Sequence, residues 1–298
     1  MRKLKTNKIV VIALAAVLVI NAGLVGYSML GGNLFVADKG SSDGGSQKTA
    51  VNSQTPKAEV KGLKDEASLD ISKEILALIK AADPDNYTKN LNNYKELLTD
   101  LNVHTRFKNE IEGLIKKGKK LPDILIAYSF LNDCYGYMED VEKLVNKKET
   151  GMKWSDIFKE YYKSNPEFVP GDFDANYLEK LSLDGIDGDT IMIADRVSQK
   201  TKVEIAAIIG KKQAGESWRL VNAEYGIVNG LEKSPHLPVT RTQLTKYAAQ
   251  SKLSEKEVIR ALTVAAKLGQ PADNVLALVK KGLSKEEIYA KYFEAKYY

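Results

Sequence analysis

One pattern recurs four times along this chain of 298 residues and constrains its fold more than any other feature. An apolar pair is followed by two lysines, then a glycine, then defined positions at +3, +6 and +10 from that glycine. The glycines are Gly118, Gly151, Gly215 and Gly282, and the +10 residues are Tyr128, Tyr161, Tyr225 and Tyr292. Such a repeat is typical of helical arrays, in which neighbouring units bury a core that one unit cannot bury alone.

A second pattern, apolar-x-x-Ala, begins at Ile124, Ile191 and Val258, which are spaced 67 residues apart. We predict three units of roughly 40 residues, each built as helix–helix–turn–helix, joined by linking segments of roughly 25–30 residues. The lysines would end the second helix, where cations suit the helix dipole, and the glycine would supply the left-handed residue after it. Trp154 and Trp218, both at +3, are then expected to be core anchors, and the alternative is a surface for ligand stacking.

Helical periodicity dominates from about residue 68 onward, so we predict an all-α fold. Residues 68–121 form an N-terminal helical region in this interpretation, and residues 122–298 form the repeats. Two helix starts are marked by capping boxes, Ser254 with Glu257 and Ser284 with Glu287.

The N-terminal region contains an uncharged, apolar run of 22 residues from Ile9 to Leu30, preceded by four basic residues. At about 1.5 Å per residue a helix of this length covers roughly 33 Å, which is enough to cross a bilayer core of about 30 Å. We therefore predict a cytoplasmic tail at residues 1–8, a transmembrane anchor at 9–31 and a flexible linker at 32–67. The folded part would lie outside the cytoplasm; with a cleaved signal peptide instead, it would be secreted.

The formal net charge of +5 is concentrated at the N-terminus, because residues 1–37 hold four basic residues and no acidic one. The rest of the chain is nearly neutral, which argues against a nucleic-acid partner. A single cysteine, Cys134, excludes an intramolecular disulfide and is expected to be a buried hydrophobe, with a reactive thiol as the alternative. His104 and His236 lie in unrelated contexts, so we predict neither a metal site nor a cofactor.

One feature hints at an enzyme. Glu216-Ser217 is similar to the Glu-Ser pair of helical cell-wall transglycosylases, but the glycine-rich stretch that follows in that family is absent here. The sequence therefore favours a non-enzymatic module that interacts with a protein or a wall polymer, and an enzyme acting on envelope polymers is the alternative.

Overall fold

The chain is helical throughout the part that the structure describes. The computed structural model describes residues 70–233 and 239–298, which contain fourteen α-helices and no strand, so the predicted all-α class is confirmed there. The helices are α1 (Lys73–Ala82), α2 (Tyr87–Asp100), α3 (Thr105–Lys116), α4 (Leu121–Cys134), α5 (Glu139–Glu149), α6 (Trp154–Ser164), α7 (Ala175–Leu183), α8 (Gly188–Thr201), α9 (Ile205–Gln213), α10 (Trp218–Glu224), α11 (Arg241–Ser251), α12 (Glu255–Lys267), α13 (Ala272–Lys280) and α14 (Lys285–Tyr297).

Some predictions fall on residues outside this range. The tail at 1–8, the anchor at 9–31, the linker at 32–67 and His236 all lie outside the described residues. Within the described residues, no helix combines the length and the apolar character that crossing a bilayer requires.

The helices follow the repeat in groups of four rather than three. Unit 1 comprises α3–α6, unit 2 comprises α7–α10 and unit 3 comprises α11–α14, while α1 and α2 precede them. The extra helices α7 and α11 occupy segments that the sequence assigned to linkers. Each of these two helices buries a single residue, Leu181 and Leu244 respectively, so their sequences carry no apolar stripe that reveals them.

Left-handed residues end the helices at a regular spacing. The residues after the first helix of each unit are Gly118, Gly185 and Lys252, those after the second are Tyr135, Lys202 and Gly269, and those after the third are Gly151, Gly215 and Gly282. Members of the first two sets are 67 residues apart. A left-handed residue lets the last carbonyls of a helix find backbone partners. What recurs along the chain is therefore the position at which each helix ends.

Helix starts follow the same logic of local hydrogen bonding. The hydroxyl oxygens of Ser254 and Ser284 each accept a hydrogen bond from the backbone N–H of the third residue of the following helix, Glu257 or Glu287. In return, the backbone N–H of each serine donates to the carboxylate of that glutamate. The two predicted capping boxes are therefore confirmed, and they fix where α12 and α14 begin.

The units do not stack in a line. Helix α14 packs against α4 and α6, so unit 3 folds back on unit 1, and both share one apolar core with α1 and α2. Unit 2 has a core of its own around Trp218. It joins unit 1 through an antiparallel bridge between Tyr137 and Ile227, flanked by the hydrogen bonds Met138 N to Gly226 O and Val228 N to Gly136 O. Unit 1 therefore contacts both of the other units.

Candidate functional site

The residues that define the repeat are spread over the fold. Gly118, Gly151, Gly215 and Gly282 all have left-handed backbones, and Trp154 and Trp218 are fully buried in two different cores. Tyr128 and Tyr161 are buried, whereas Tyr225 and Tyr292 are half-buried. Of these ten residues, Tyr292 alone lines the junction cavity described below. The repeat therefore marks how the chain packs and does not by itself outline a binding surface.

Each tryptophan is covered by a lysine six residues before it in the chain. The Lys148 ammonium lies 5.9 Å from the Trp154 ring centroid, and the Lys212 ammonium lies 5.5 Å from that of Trp218. A cation over an aromatic face is attracted by the negative face of the ring. The second lysine of the repeat thus packs on the tryptophan in addition to lying near a helix end.

Several residues with possible chemistry have structural partners. His104 caps α3, with its Nδ1 accepting a hydrogen bond from Arg106 N at 3.1 Å. Ser217 caps α10 by accepting a hydrogen bond from Leu220 N at 3.1 Å. Cys134 is half-buried rather than fully buried as the sequence predicted, and desolvation raises the pKa of its thiol to about 11, against the direction that a reactive thiol requires. Among the described residues, no group of three or more His, Cys, Asp or Glu side chains is placed to hold a metal ion.

The C-terminal ends of α4, α8 and α12 meet at a three-unit junction. Asp133, Lys200 and Lys267 occupy equivalent positions there, 67 residues apart and two residues before the left-handed residue that ends each helix. The backbone carbonyl oxygen of Asp133 accepts a hydrogen bond from Arg196 Nη2 of unit 2 and another from Lys267 Nζ of unit 3, both at 3.3 Å. One atom in unit 1 is therefore bound by both of the other units.

The cations at this junction lie beside the C-terminal ends of three helices. The carbonyl end of a helix carries partial negative charge, and α4, α8 and α12 bring three such ends together. Burial lowers the pKa of Lys200 and of Lys267, which shows that desolvation outweighs the stabilisation that their neighbours provide. The Arg196 guanidinium also lies 4.2 Å from the Tyr135 ring centroid, and the Lys285 ammonium lies 3.9 Å from that of Tyr162. The cations at the junction are thus held by contacts with a carbonyl oxygen and with aromatic rings.

A cavity of about 200 Å³, the junction cavity, opens beside Asp133 between units 1 and 3. It is lined by Leu97, Asp100 and Leu101 of α2 and the residue after it, by Ser129, Asn132 and Asp133 of α4, by Ala266, Lys267, Leu268, Gly269 and Gln270 at the end of α12, and by Tyr292, Phe293, Lys296 and Tyr297 of α14.

Two of its lining residues have polar atoms that are shielded from solvent. Asn132 is only 3% exposed and its Oδ1 makes no hydrogen bond among the described residues, whereas the buried Oδ2 of Asp133 has Lys267 beside it and the Asp133 side chain faces the Tyr289 hydroxyl. The nearest cation to the Asp133 carboxylate is Lys267, with 3.9 Å between Nζ and Oδ2. Leaving a buried acceptor without a partner costs about 1–3 kcal/mol, so such atoms are usually satisfied by water or a ligand.

A larger recess of about 690 Å³ lies at the C-terminal end of α1, between that helix, the α3–α4 turn and the last two residues. Several of its polar groups already have partners. The Asp83 carboxylate accepts hydrogen bonds from the amides of Asn86 and Asn90, and Tyr298 OH donates to Asp123 Oδ1 at 2.5 Å. Because Asp83, Asn86, Asn90 and Tyr298 are engaged with one another or with Asp123, this recess is a weaker candidate than the junction cavity.

The sequence did not single out Asn132 and Asp133. They end an otherwise strongly apolar helix, LPDILIAYSFLNDC, in which eleven residues are buried. A polar Asn-Asp pair at the end of such a helix is the signal that was available. The pair lines a cavity because α14, which lies more than 150 residues further along the chain, packs against α4.

Comparison with known protein families, with characterised proteins and with solved structures finds no match for this chain.

Proposed function

We propose that this chain is a non-enzymatic interaction module, held outside the cytoplasm by an anchor at residues 9–31, and that its ligand site is the junction cavity. The anchor rests on the uncharged run from Ile9 to Leu30 and on the four basic residues before it. The linker at residues 32–67 would present the folded part away from the bilayer, to a protein or to a wall polymer. Membrane attachment and the outside location are proposals from the sequence.

The observation that carries the binding role is the cavity itself, whose lining combines polar residues such as Asn132, Asp133 and Gln270 with aromatic ones. A packing interface built only for stability would gain by replacing such groups with apolar ones, because an apolar wall has no hydrogen-bonding requirement. Ligand sites characteristically combine apolar and aromatic walls with a few polar groups, and Phe293 and Tyr292 supply aromatic walls here.

The geometry offers less support for an enzyme acting on envelope polymers. Ser217 is engaged as the cap of α10, and Glu216 lies in the turn before it, outside the lining of both the junction cavity and the larger recess. The Glu-Ser pair is therefore explained as a helix start.

The proposal is tested with photo-crosslinking in cells that carry the full chain. A photo-crosslinking amino acid in place of Lys296, which lines the cavity, is compared with the same amino acid in place of Lys291. Both lysines are exposed on α14, so the second is a matched control. We expect a crosslinked species, protein or wall material, at position 296 and none at 291. Equal crosslinking at the two positions, or none at either, would exclude the cavity as the ligand site.

A second measurement tests location. Protease added to wall-stripped cells should degrade the part of the chain that follows residue 38, because the predicted orientation puts it outside. Full protection of that part would contradict export. A mature N-terminus near residue 29 would replace the anchor with a cleaved signal peptide.

A further inference from the structure

We infer that unit 3 carries a second binding surface, formed by Lys246, Lys252, Lys280 and Lys281, which binds a flexible polymer of repeated phosphate groups. We call these four residues the lysine surface. None of them lines the junction cavity, so the inference goes beyond the proposed function and does not depend on it. It is carried by the pairing of the repeat lysines, by the charge of unit 3 and by a cleft between α11 and α13.

The lysine pair of the repeat is neutralised in three of its four copies. Each lysine of the first three copies pairs with a glutamate at 2.6–3.6 Å. These six lysines are Lys116, Lys117, Lys147, Lys148, Lys211 and Lys212. In the fourth copy, Lys280 and Lys281 are exposed and form no ion pair within the part of the chain that the structure describes. The same sequence pattern therefore serves pairing within units 1 and 2 but leaves two ammonium groups free in unit 3.

Unit 3 is also the most basic of the three units. Residues 241–297 include eleven basic and six acidic residues, a net charge of +5. By the same count, residues 105–164 of unit 1 have twelve and ten, a net charge of +2, and residues 175–224 of unit 2 have seven and eight, a net charge of −1. An excess of one sign on one part of a surface attracts a polymer of the opposite sign, whereas solubility alone is served by interspersed charges of both signs.

Most of the basic residues of unit 3 have no acidic partner. Seven of the eleven form no ion pair with any described residue, namely Lys246, Lys252, Lys256, Arg260, Lys280, Lys281 and Lys291. The excess charge is therefore exposed to solvent and not cancelled by local pairs, as the interaction with a polyanion requires.

A cleft of about 180 Å³ between α11 and α13 lies at the centre of the lysine surface. Lys280 lines it together with Tyr247, Gln250 and Ser251 of α11. Lys246 and Lys252 adjoin Tyr247 and Ser251 in the chain, Lys281 adjoins Lys280, and all four lysines are exposed. Lysines therefore flank the cleft on both of its helices.

The cleft contains one acidic residue, which has a structural role. Asp273 lies in the first turn of α13, where a carboxylate suits the positive end of the helix dipole. Lys280 lies in the last turn of the same helix, about two turns away. The volume equals that of about six water molecules at roughly 30 Å³ each, and it is below the roughly 300–1,000 Å³ of pockets that enclose larger ligands. A single phosphate group with its linking atoms suits a cleft of this size.

The residue types favour phosphate and a flexible partner. All four cations are lysines, whose compact ammonium groups bind phosphate as point charges, whereas bidentate recognition of a carboxylate is characteristic of arginine. Among the described residues that line the cleft, Tyr247 is the one aromatic residue, and it is half-buried. A surface for single-stranded nucleic acid would offer aromatic rings on which successive bases stack. The partner is therefore a polymer whose phosphates are joined by small, non-aromatic groups.

The inference is tested by calorimetric titration of the full chain, in micelles of a nonionic detergent, with inorganic polyphosphate. Every protein in the series carries Arg2→Gln, Lys3→Gln, Lys5→Gln and Lys8→Gln, so that the basic N-terminus does not bind the probe. We expect affinity to fall with salt, with a slope of log K against log salt concentration of about −3 for four contacts at about −0.7 each. An affinity that does not change with salt would overturn the inference.

Variants locate the surface. Lys280→Gln combined with Lys281→Gln should weaken binding by at least roughly tenfold at low salt and bring the slope to about −1.4. The matched control is Lys116→Gln combined with Lys117→Gln, which removes the same charge from the first copy of the repeat, where both lysines are paired with glutamates. It should change binding less than roughly threefold, because charges beyond about 10 Å are screened at 0.1 M salt. Thermal unfolding shows that each variant is folded.

The outcomes are decisive for the site and for the partner. If the two double variants weaken binding equally, the probe responds to overall charge and the inference is wrong. If single-stranded DNA, or anionic lipid added to the micelles, binds more tightly than polyphosphate at the same phosphate concentration, the partner is a nucleic acid or a membrane and the inference is wrong. Crosslinking at position 296 tests the junction cavity separately, because these variants leave its lining unchanged.

Discussion

Arg196 and Lys267, which belong to different units, donate hydrogen bonds of 3.3 Å to the same atom, the backbone carbonyl oxygen of Asp133. That carbonyl lies in the last turn of α4, where the helix leaves its final carbonyls without intrahelical partners. Side chains from α8 and α12 therefore complete the end of a helix in unit 1. The end of α4 needs hydrogen-bond donors, and the side chains that supply them join unit 1 to units 2 and 3.

A double-mutant cycle on these two residues should show coupling. Arg196→Met or Lys267→Met alone leaves the Asp133 carbonyl with one donor, so each should cost less than about 1.5 kcal/mol of unfolding free energy. Lys267→Met should be the larger change of the two, because it also removes the cation nearest to the Asp133 carboxylate. The double variant removes both donors and should cost about 1 kcal/mol more than the sum.

The measurement is urea unfolding of the purified chain. Lys143→Met is the control, since Lys143 has a side chain that is 60% exposed and, within the described part of the chain, pairs only with neighbours on its own helix. It should change the unfolding free energy by less than about 0.5 kcal/mol. Strict additivity of Arg196→Met and Lys267→Met would contradict the shared acceptor.

The sequence predicted the features that depend on local chemistry. The capping boxes at Ser254 and Ser284 and the all-α class both follow from short-range rules, and both are found. Of the nine left-handed helix ends in the three units, the pattern identified four, all of them glycines. Lys202 and Lys252 adopt the same conformation without a glycine, so their identity gave no signal.

The candidate site could not be predicted in the same way. The junction cavity exists because α14 returns to α4, and the Ser129–Tyr297 hydrogen bond joins residues 168 apart in the chain. A repeat pattern indicates that units pack on one another but does not say which unit packs on which. The expectation of a stacked array gave no reason to place Asn132 beside the C-terminal helix.

Two glycines near the end of α9 should respond to alanine with opposite signs. Gly215 has φ of +90°, and a methyl group there would meet no atom within 4 Å, so Gly215→Ala adds backbone strain without a clash. We expect a loss of about 1 kcal/mol. Gly210 lies inside α9 with equally open surroundings, and Gly210→Ala should gain about 0.5–1 kcal/mol through helix propensity. Thermal unfolding of both variants measures this, and a gain of stability in Gly215→Ala would contradict the left-handed turn.

Trp218 should contribute strongly to the stability of unit 2. It is fully buried in that unit's core, so Trp218→Ala should cost about 3–5 kcal/mol and lower the thermal midpoint. Leu183→Ala is the control in the same unit, because Leu183 is 81% exposed and its truncation should change stability by less than about 0.5 kcal/mol. An unchanged midpoint in Trp218→Ala would show that the tryptophan is not an anchor, and would make Trp154 and Trp218 candidates for a binding surface.

The Cys134 thiol should be unreactive at neutral pH and become reactive only in strong alkali. Burial raises its pKa to about 11, compared with about 8.5 for an exposed cysteine. At pH 8 about one thiol in a thousand would be ionised in the folded chain, and the thiolate is the form that iodoacetamide attacks. We expect the alkylation rate to rise about tenfold per pH unit up to about pH 11, whereas in urea the rate should level off near pH 9.

The same pKa difference predicts a loss of stability with rising pH. Because the folded state holds the Cys134 proton more tightly than the unfolded state, this stabilisation is fully present below about pH 8.5 and is lost as the pH rises toward about 11. Cys134→Ala removes the thiol, so its unfolding free energy should fall less steeply between pH 9 and pH 11 than that of the wild type. Tyr297, whose pKa burial raises to about 12, titrates in both proteins and cancels from the comparison. Identical pH profiles, or alkylation of the folded chain that levels off near pH 9, would show that the half-buried Cys134 thiol ionises like an exposed cysteine.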